Sequence, residues 1–594
     1  LIYINAPRPF PRNGAPKNAN STYDITPSAR HYEGPAMTQN AEKKAGTKRA
    51  DFTPLVDQTK TTGTGPIRSQ IPQYVTLTPP CAAACPAGEN IREWLAEATA
   101  GNYRAAWEIL TAQNPMPAVH GRVCYHPCEG GCNRGEVDEA VSIHAVERFL
   151  GDMANEQGWQ FKPVNPPSGK KVLVVGAGPS GLSCAYHLAR LGHEVEIREA
   201  GPVAGGMMHF GIPAYRMPRE ELAQDVARIE ALGVRITLNH KVTDLMVEKQ
   251  AGGFDAVYLA IGAGAGKHVD IPAKEAPKIL DAVNLLSDTS KGEAPLLGRR
   301  VVVYGGGNTA MDAARTAKRL GATETLIVYR RDREHMPAHE FEADEAMAEG
   351  VKIKWLTTIK EIDGDALKVE RMEIGEDGRA HPTGEFETLT ADAVVLALGQ
   401  ETDSSFLKSV PGLEFSWNGT VEVGENRMTG CEGVFAGGDM VPDQQSVTIA
   451  TGHGKLAARH IDAWLAGTTY VAEDPPALVT ADMLHLPVYS DVDPKEQAAL
   501  ATSKRHSFDE VLSGLSEKEA RYEASRCYSC GACYECDNCY AACPEDAIVK
   551  LGTGKGYEID PEKCTGCQSC FDQCPCHALE MISETTIQGE VSHA

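Results

Sequence analysis

Lys171-Val-Leu-Val-Val175-Gly176-Ala-Gly178-Pro179-Ser180-Gly181 decides the fold of this chain. Five residues of mostly β-branched apolar character read as a parallel strand buried on both faces. A glycine turn follows, then a helical pattern through Leu182, Ala185, Leu188 and Ala189. A second strand, Glu194-Val-Glu-Ile-Arg-Glu199, ends in an acid. Strand, glycines, helix, strand and acid form the dinucleotide fingerprint in its required context. Gly176 makes the tight turn, Gly178 lets the backbone approach a pyrophosphate, and Gly181 allows close helix–strand packing. The pyrophosphate meets a helix N-terminus that opens with Pro179 and Ser180. Glu199 holds the adenosine ribose hydroxyls.

The same grammar recurs downstream. The strand Arg300-Val-Val-Val-Tyr304 runs into Gly305-Gly-Gly307-Asn308-Thr309-Ala310 and a helix through Met311, Ala314 and Ala317. Its second strand, Glu324 to Tyr329, ends in Arg330 and Arg331 and not in an acid. An arginine pair there either accepts a 2′-phosphate or faces solvent. Two such sites are explained by FAD in the first and NAD(P)H in the second, inserted within the first domain. Ala393-Val-Val-Leu-Ala-Leu-Gly399 is read as the return to the FAD domain. Gly433-Val-Phe-Ala-Gly437-Gly438-Asp439 then delivers Asp439 toward the flavin.

The 18 cysteines define the flanks. Cys533-x2-Cys536-x2-Cys539-x3-Cys543-Pro544 matches the bacterial ferredoxin run, and Cys564-x2-Cys567-x2-Cys570-x3-Cys574-Pro575 repeats it. In such a pair the fourth cysteine serves the other cluster. One 4Fe–4S cluster is therefore expected on Cys533, Cys536, Cys539 and Cys574, the other on Cys564, Cys567, Cys570 and Cys543. Cys527, Cys530 and Cys576 are left over, the first two as an extra metal pair or as packing. Upstream, Cys81-x3-Cys85 and Cys124-x3-Cys128-x3-Cys132 are not zinc-finger spacings. These five thiols supply at least one 4Fe–4S cluster with one spare. Structural zinc and plain buried thiols are the alternatives. Cys184, on the helix after the first glycines, reads as core.

The chain has 594 residues and a formal charge of -24, from 57 basic and 81 acidic residues. That balance argues against generic nucleic-acid binding and against docking on anionic lipid. No apolar run reaches the length of a membrane span. Iron–sulfur assembly needs a reducing compartment, so a cytoplasmic location is expected. The fold class is an α/β core of two Rossmann-like nucleotide-binding domains, an N-terminal helical iron–sulfur domain and a small C-terminal bacterial-type ferredoxin domain. The expected boundaries are an extended partner-binding arm (1–70), the helical iron–sulfur domain (71–165), a first FAD-binding segment (166–292), the NAD(P)H domain (293–388), a second FAD-binding segment (389–470), a connector (471–524) and the ferredoxin domain (525–594). Within the connector, Ser516 and Glu519 have the spacing of a capping box.

Taken together these motifs resemble the glutamate synthase small-subunit family, whose domains recur in dihydropyrimidine dehydrogenase. The resemblance covers about residues 75–470. It rests on Pro80-Cys81-x3-Cys85-Pro86, Asn90-Ile91, Arg122-Val-Cys124-x3-Cys128-Glu-Gly-Gly-Cys132, Tyr329-Arg-Arg331 and Met336-Pro-Ala338. Gly205-Gly206-Met207-Met-His-Phe-Gly211-Ile-Pro213-Ala-Tyr-Arg216 resembles the family's flavin-proximal stretch. It implies flavin contacts for Gly205, Gly206, Met207 and Arg216, with His209 and Tyr215 as further candidates. The family commonly holds two N-terminal clusters. One takes Cys85, Cys124, Cys128 and a non-cysteine ligand, here Glu147. The other uses Cys81, Cys132 and a Cys-x2-Cys pair upstream of Cys81, which this chain lacks. Cys132 is then free to replace Glu147, which would face solvent.

The fused dicluster module resembles a sub-branch that moves electrons between a nicotinamide cofactor and a separate redox enzyme. Lys60 to Arg68 and Tyr125-His-Pro127 look most like the branch associated with dissimilatory sulfite reductase. The expected partners are NADH or NADPH, and a redox enzyme such as dissimilatory sulfite reductase or a soluble ferredoxin. A homodimer is one expected assembly. Alternative readings are an electron-transfer subunit of a 2-oxoacid oxidoreductase or of glutamate synthase, and a self-contained flavoenzyme reducing a small sulfur compound. The last would place a redox cysteine pair beside the flavin. Hydride transfer at a flavin needs no side-chain acid or base, so no catalytic residue is nominated.

Overall fold

A computed structural model of the chain describes residues 68–267, 271–272 and 278–583. The arm expected over 1–70 lies outside these residues except for its last three.

The quoted strand Lys171–Val175 is the middle of a five-stranded sheet. Across that sheet the strands run Val434–Ala436, Ala256–Leu259, Lys171–Val175, Glu194–Arg198 and Arg235–Thr237, all parallel. Val172, Leu173 and Val174 are fully buried, as a strand covered on both faces requires. One cover is the helix Pro179–Arg190, which packs with Val447–Leu465 over the face carrying Val172 and Val174. Leu173 and Val175 point to the opposite face.

A second five-stranded parallel sheet repeats the plan, in the order Lys352–Lys354, Glu324–Val328, Arg300–Tyr304, Ala393–Leu396 and Lys278–Asp281. A three-stranded antiparallel sheet, Thr357–Asp363, Ala366–Ile374 and Ala380–Thr390, is appended to it. Helices Ile91–Ala100, Tyr103–Thr111, Pro117–Val123 and Ile143–Glu156 form the N-terminal iron–sulfur domain. The helix Glu517–Ser525 begins at a capping box in which Glu519 accepts from the Ser516 N–H at 2.9 Å. Its Ala520 and Ala524 join the core of the N-terminal helices. The connector thus lays its last helix on the first domain before the ferredoxin module starts.

Three expected boundaries move. Ala393–Leu396 does not return to the FAD domain; it pairs with Arg300–Tyr304 and Lys278–Asp281 in the second sheet. An apolar run identifies a buried strand but not the sheet it joins. The return comes later, at Val434–Ala436. Lys278–Asp281, expected in the first FAD-binding segment, likewise belongs to the second sheet. Finally, Gln70–Tyr74, expected at the junction of arm and helical domain, pairs antiparallel with Leu579–Ser583 at the other end of the ferredoxin module.

Candidate functional site

A cavity of about 480 Å³ opens where the two glycine turns face each other. That size suits a cofactor cleft. Its wall includes Gly176, Gly178, Pro179, Ser180, Glu199, Gly206, Met207, Arg216, Gly438 and Asp439 from the first lobe, and Asn308 and Thr309 from the second.

The glycines divide by what they do. Gly176 has φ +106, and a Cβ there would lie 2.4 Å from the Ala260 carbonyl oxygen. A Cβ on Gly181 would lie 2.0 Å from the Gly176 oxygen, so this glycine serves packing and is not in the wall. Gly178 and Gly307 face open space, each just before a helix whose first N–H groups lack intrahelical partners. These are places where a pyrophosphate fits against the backbone. Gly305 (φ +151) abuts the Ala397 carbonyl and Ala310 is buried, so both are structural parts of the second turn. Gly205, whose N–H donates to the Ala177 oxygen at 2.8 Å, sets the loop that presents Gly206 and Met207.

Glu199 is fixed at the rim. Its two oxygens accept the N–H groups of Ala177 (2.7 Å) and Gly201 (2.6 Å). Burial pushes the Asp439 carboxyl up to about 6. Arg216 pairs with Asp312 (2.7 Å) and Glu342 (2.6 Å), tying the first lobe to the second. Tyr215 and His209 are not in the wall. Tyr215 is fully buried, donates to Asp312 at 3.2 Å and lies 3.8 Å beneath the Arg319 guanidinium. Arg330 is exposed and Arg331 half-buried; neither has an ion pair or side-chain hydrogen bond among the described residues. They stand outside the wall, at the end of the second strand of the second lobe. Among the described residues no cysteine lines the cavity, and Cys184 is fully buried in the core.

The cysteines gather in four groups. Cys85, Cys124 and Cys128 adjoin the buried carboxylates of Glu147 and Glu89, whose charges raise the Cys85 and Cys124 thiols along with burial. Glu147 is buried and does not face solvent. Asn114 donates to Glu147 and to Glu89, both at 2.9 Å. Burial first, and then the charge of Glu89, raise Glu147 well above the carboxylate range. Glu89 belongs to no motif that the sequence reveals, although it stands four residues after Cys85. Cys124 is flanked by Val123 and Tyr125, which both line the cavity. Tyr125 accepts from Asn308 Nδ2 at 2.7 Å and stacks on His339 at 3.8 Å between ring centres.

Cys132 does not join that group. It lies with Cys81, Cys527 and Cys530 around a separate small cavity. In the ferredoxin module Cys543 lines a cavity with Cys564, Cys567 and Cys570. The Cys533 and Cys539 thiols are raised by burial first and then by the charges of neighbouring cysteines, Cys536 and Cys574 among them. Tyr74, from the paired strand Gln70–Tyr74, lies 3.2 Å from the Cys539 sulfur. The donor sets suit iron–sulfur clusters, which take thiolates and occasionally another ligand.

Comparison with known proteins agrees with this layout. The model of the pyridine nucleotide-disulphide oxidoreductase family matches residues 170–454. That of dihydropyrimidine dehydrogenase domain II, 4Fe-4S cluster, matches 65–159. The 4Fe-4S dicluster domain matches 532–578. The subunit beta of the NADP(+)-dependent formate dehydrogenase of Moorella thermoacetica is 36% identical over 507 residues, covering 76% of this chain and 71% of the relative. The NADPH-Fe(3+) oxidoreductase subunit beta of Geobacter sulfurreducens is 33% identical, covering 76% and 75%. The glutamate synthase (NADPH) small chain of Escherichia coli is 32% identical over 418 residues, covering 65% of this chain and 89% of that one. The chain belongs to the superfamily of NAD(P)H-dependent iron–sulfur flavin oxidoreductases with a fused iron–sulfur dicluster domain.

Proposed function

We propose that this chain moves electrons between NADPH and a separate redox enzyme, with dissimilatory sulfite reductase as the partner or a soluble ferredoxin in its place. In this reading it is a cytoplasmic subunit in the dicluster-bearing branch of the glutamate synthase small-subunit family. When bound, FAD exchanges a hydride with the nicotinamide and single electrons with 4Fe–4S centres.

The chain's own residues bind and orient. Gly178 and the helix start at Pro179 receive the FAD pyrophosphate, and Glu199, held by two backbone N–H groups, takes the ribose hydroxyls. Gly307, Asn308 and Thr309 receive the second dinucleotide, and Arg330 and Arg331, which have no ion pair among the described residues, accept its 2′-phosphate. The Arg216–Asp312–Glu342 ion cluster fixes the angle between the lobes, hence the approach of nicotinamide to flavin.

The observation that carries this reading is where the cysteine groups begin and end. One group stands behind the cavity wall at Cys124, between the wall residues Val123 and Tyr125, while Cys533 and Cys567 of the ferredoxin module are exposed. A partner protein can therefore meet the second end without entering the cleft. The cavity's lack of a cysteine among the described residues disfavours a self-contained disulfide or sulfur reductase.

The test is anaerobic NADPH oxidation by the holoprotein with three acceptors: a viologen dye, a soluble ferredoxin and dissimilatory sulfite reductase. Reduction of the enzyme or the ferredoxin as well as the dye is expected. Reduction of the dye alone would overturn the partner assignment.

A further inference from the structure

We infer that Cys527 and Cys530 are ligands, together with Cys81 and Cys132, of a further iron–sulfur cluster that joins the helical domain to the ferredoxin module. Neither Cys527 nor Cys530 falls within the segments matched by the two iron–sulfur family models. The inference does not depend on which partner or nicotinamide the chain uses.

Three observations support it. First, the four sulfurs surround one enclosed cavity, similar in size to the one among Cys543, Cys564, Cys567 and Cys570. Cys81 is buried on the helical-domain side of that cavity. All four are free thiols.

Second, the loop is built like a ferredoxin ligand loop. In Cys527-Tyr-Ser529-Cys530, Ser529 takes φ +54 and donates its N–H to the Cys527 sulfur at 3.4 Å. In Cys564-Thr-Gly566-Cys567, Gly566 takes φ +70 and donates to the Cys564 sulfur at 3.4 Å. In Cys533-Tyr-Glu535-Cys536, Glu535 takes φ +60 and its N–H bonds to Cys533. A left-handed conformation at serine or glutamate is uncommon, and its recurrence here aims backbone N–H groups at sulfur.

Third, no three of these sulfurs are drawn together as tightly as zinc would hold them. Tetrahedral zinc at about 2.3 Å from each sulfur would bring all four within about 3.8 Å of one another. Among the described residues, no three of these cysteines have sulfurs that all lie within 4.8 Å of one another. A 4Fe–4S cube needs the wider cage. Arg92 supplies positive charge beside it, donating to the Cys530 carbonyl at 2.7 Å while its body is buried. Asn133 Nδ2 stands 3.6 Å from the Cys530 sulfur.

The site occupies a junction. Cys81 and Cys132 are each four residues from a member of the cavity-side group, Cys85 and Cys128. Cys530 is three residues from Cys533, so their Cα atoms lie within about 11 Å. A cluster here is the bridge between the cavity-side cysteines and the ferredoxin module.

The test is iron and sulfide analysis with low-temperature EPR of the dithionite-reduced full chain after anaerobic reconstitution. Cys527→Ser/Cys530→Ser is expected to lose about four iron and four sulfide per chain. Cys81→Ser/Cys132→Ser should lose the same four, and the two pairs combined no more than either alone. Flavin content and the remaining EPR signals should persist, and Cys576→Ser should lose no iron. Full iron in the Cys527/Cys530 variant, or losses that add on combining the pairs, would overturn the inference. Should these variants fail to fold, metal analysis of the unaltered chain decides. About sixteen iron atoms and no zinc support the fourth cluster, whereas stoichiometric zinc refutes it.

Discussion

The Thr448 hydroxyl donates a hydrogen bond to the Cys124 sulfur across 3.1 Å. Thr448 stands in the first turn of Val447–Leu465, beside Val447 and Ser446 of the cavity wall. One side chain therefore links the helix that borders the cavity to the group of Cys85, Cys124 and Cys128. A donor to sulfur favours the more negative, reduced state of a cluster. Thr448→Val should lower the potential of the cavity-side cluster by about 40 mV, taking one hydrogen bond as about 1 kcal/mol. EPR-monitored redox titration reads this, and iron content should not change.

The two glycines of the first turn should separate binding from folding. Gly178 has φ -76, and a Cβ there meets nothing within 4 Å. Gly178→Ala should leave the apoprotein's stability within about 0.5 kcal/mol while weakening FAD binding at least tenfold, as the methyl enters the cleft. Gly181→Ala collides with the Gly176 oxygen and should cost about 1–3 kcal/mol in thermal or urea unfolding.

Arg330 and Arg331 make no competing ion pairs among the described residues. Replacing either by Ala should raise KM for NADPH about tenfold, the equivalent of one charged hydrogen bond of about 1.4 kcal/mol. KM for NADH and kcat should stay within about twofold. Equal effects on both nucleotides would show that the pair does not read the 2′-phosphate.

Glu349 anchors the back of the second lobe through Arg315 (2.7 Å) and Arg319 (2.7 Å). Burial acts to raise its carboxyl, but the hydrogen bonds from Arg319 and Arg315 outweigh it and hold the group down at about 2. The folded value lies below the ordinary one, so the stabilisation is full above pH 4.5 and fades as pH falls toward 2. Glu349→Gln should cost about 2 kcal/mol at pH 7, with the difference from the unaltered chain shrinking over that acid range. Chemical denaturation at several pH values checks both magnitude and sign.

What the sequence disclosed was chiefly local. The strand–glycine–helix grammar at Lys171–Gly181 and Arg300–Ala310 has steric causes that act within about ten residues, and the Ser516–Glu519 box is equally short-range. Both are visible in residue order alone. Ala393–Leu396 shows the limit, since its hydrophobicity states that it is buried but not between which strands. Cys527 and Cys530 show it more sharply. Their partners Cys81 and Cys132 lie roughly 400 residues earlier, and it takes the packing of Glu517–Ser525 on the N-terminal helices, with the Arg92 bond to the Cys530 carbonyl, to bring the two pairs together. Glu89 and Asn114 carried no motif, because a buried carboxylate–amide arrangement depends on three separate segments meeting.

In the proposed function nicotinamide enters at the cleft, and the cysteine groups are electrically continuous with it. The most direct test is anaerobic titration of the holoprotein with NADPH and, separately, NADH, following flavin and iron–sulfur absorbance together. Bleaching of both chromophores, with NADPH acting at the lower concentration, is the expected result. Flavin that is present but left oxidised by both nucleotides would contradict it.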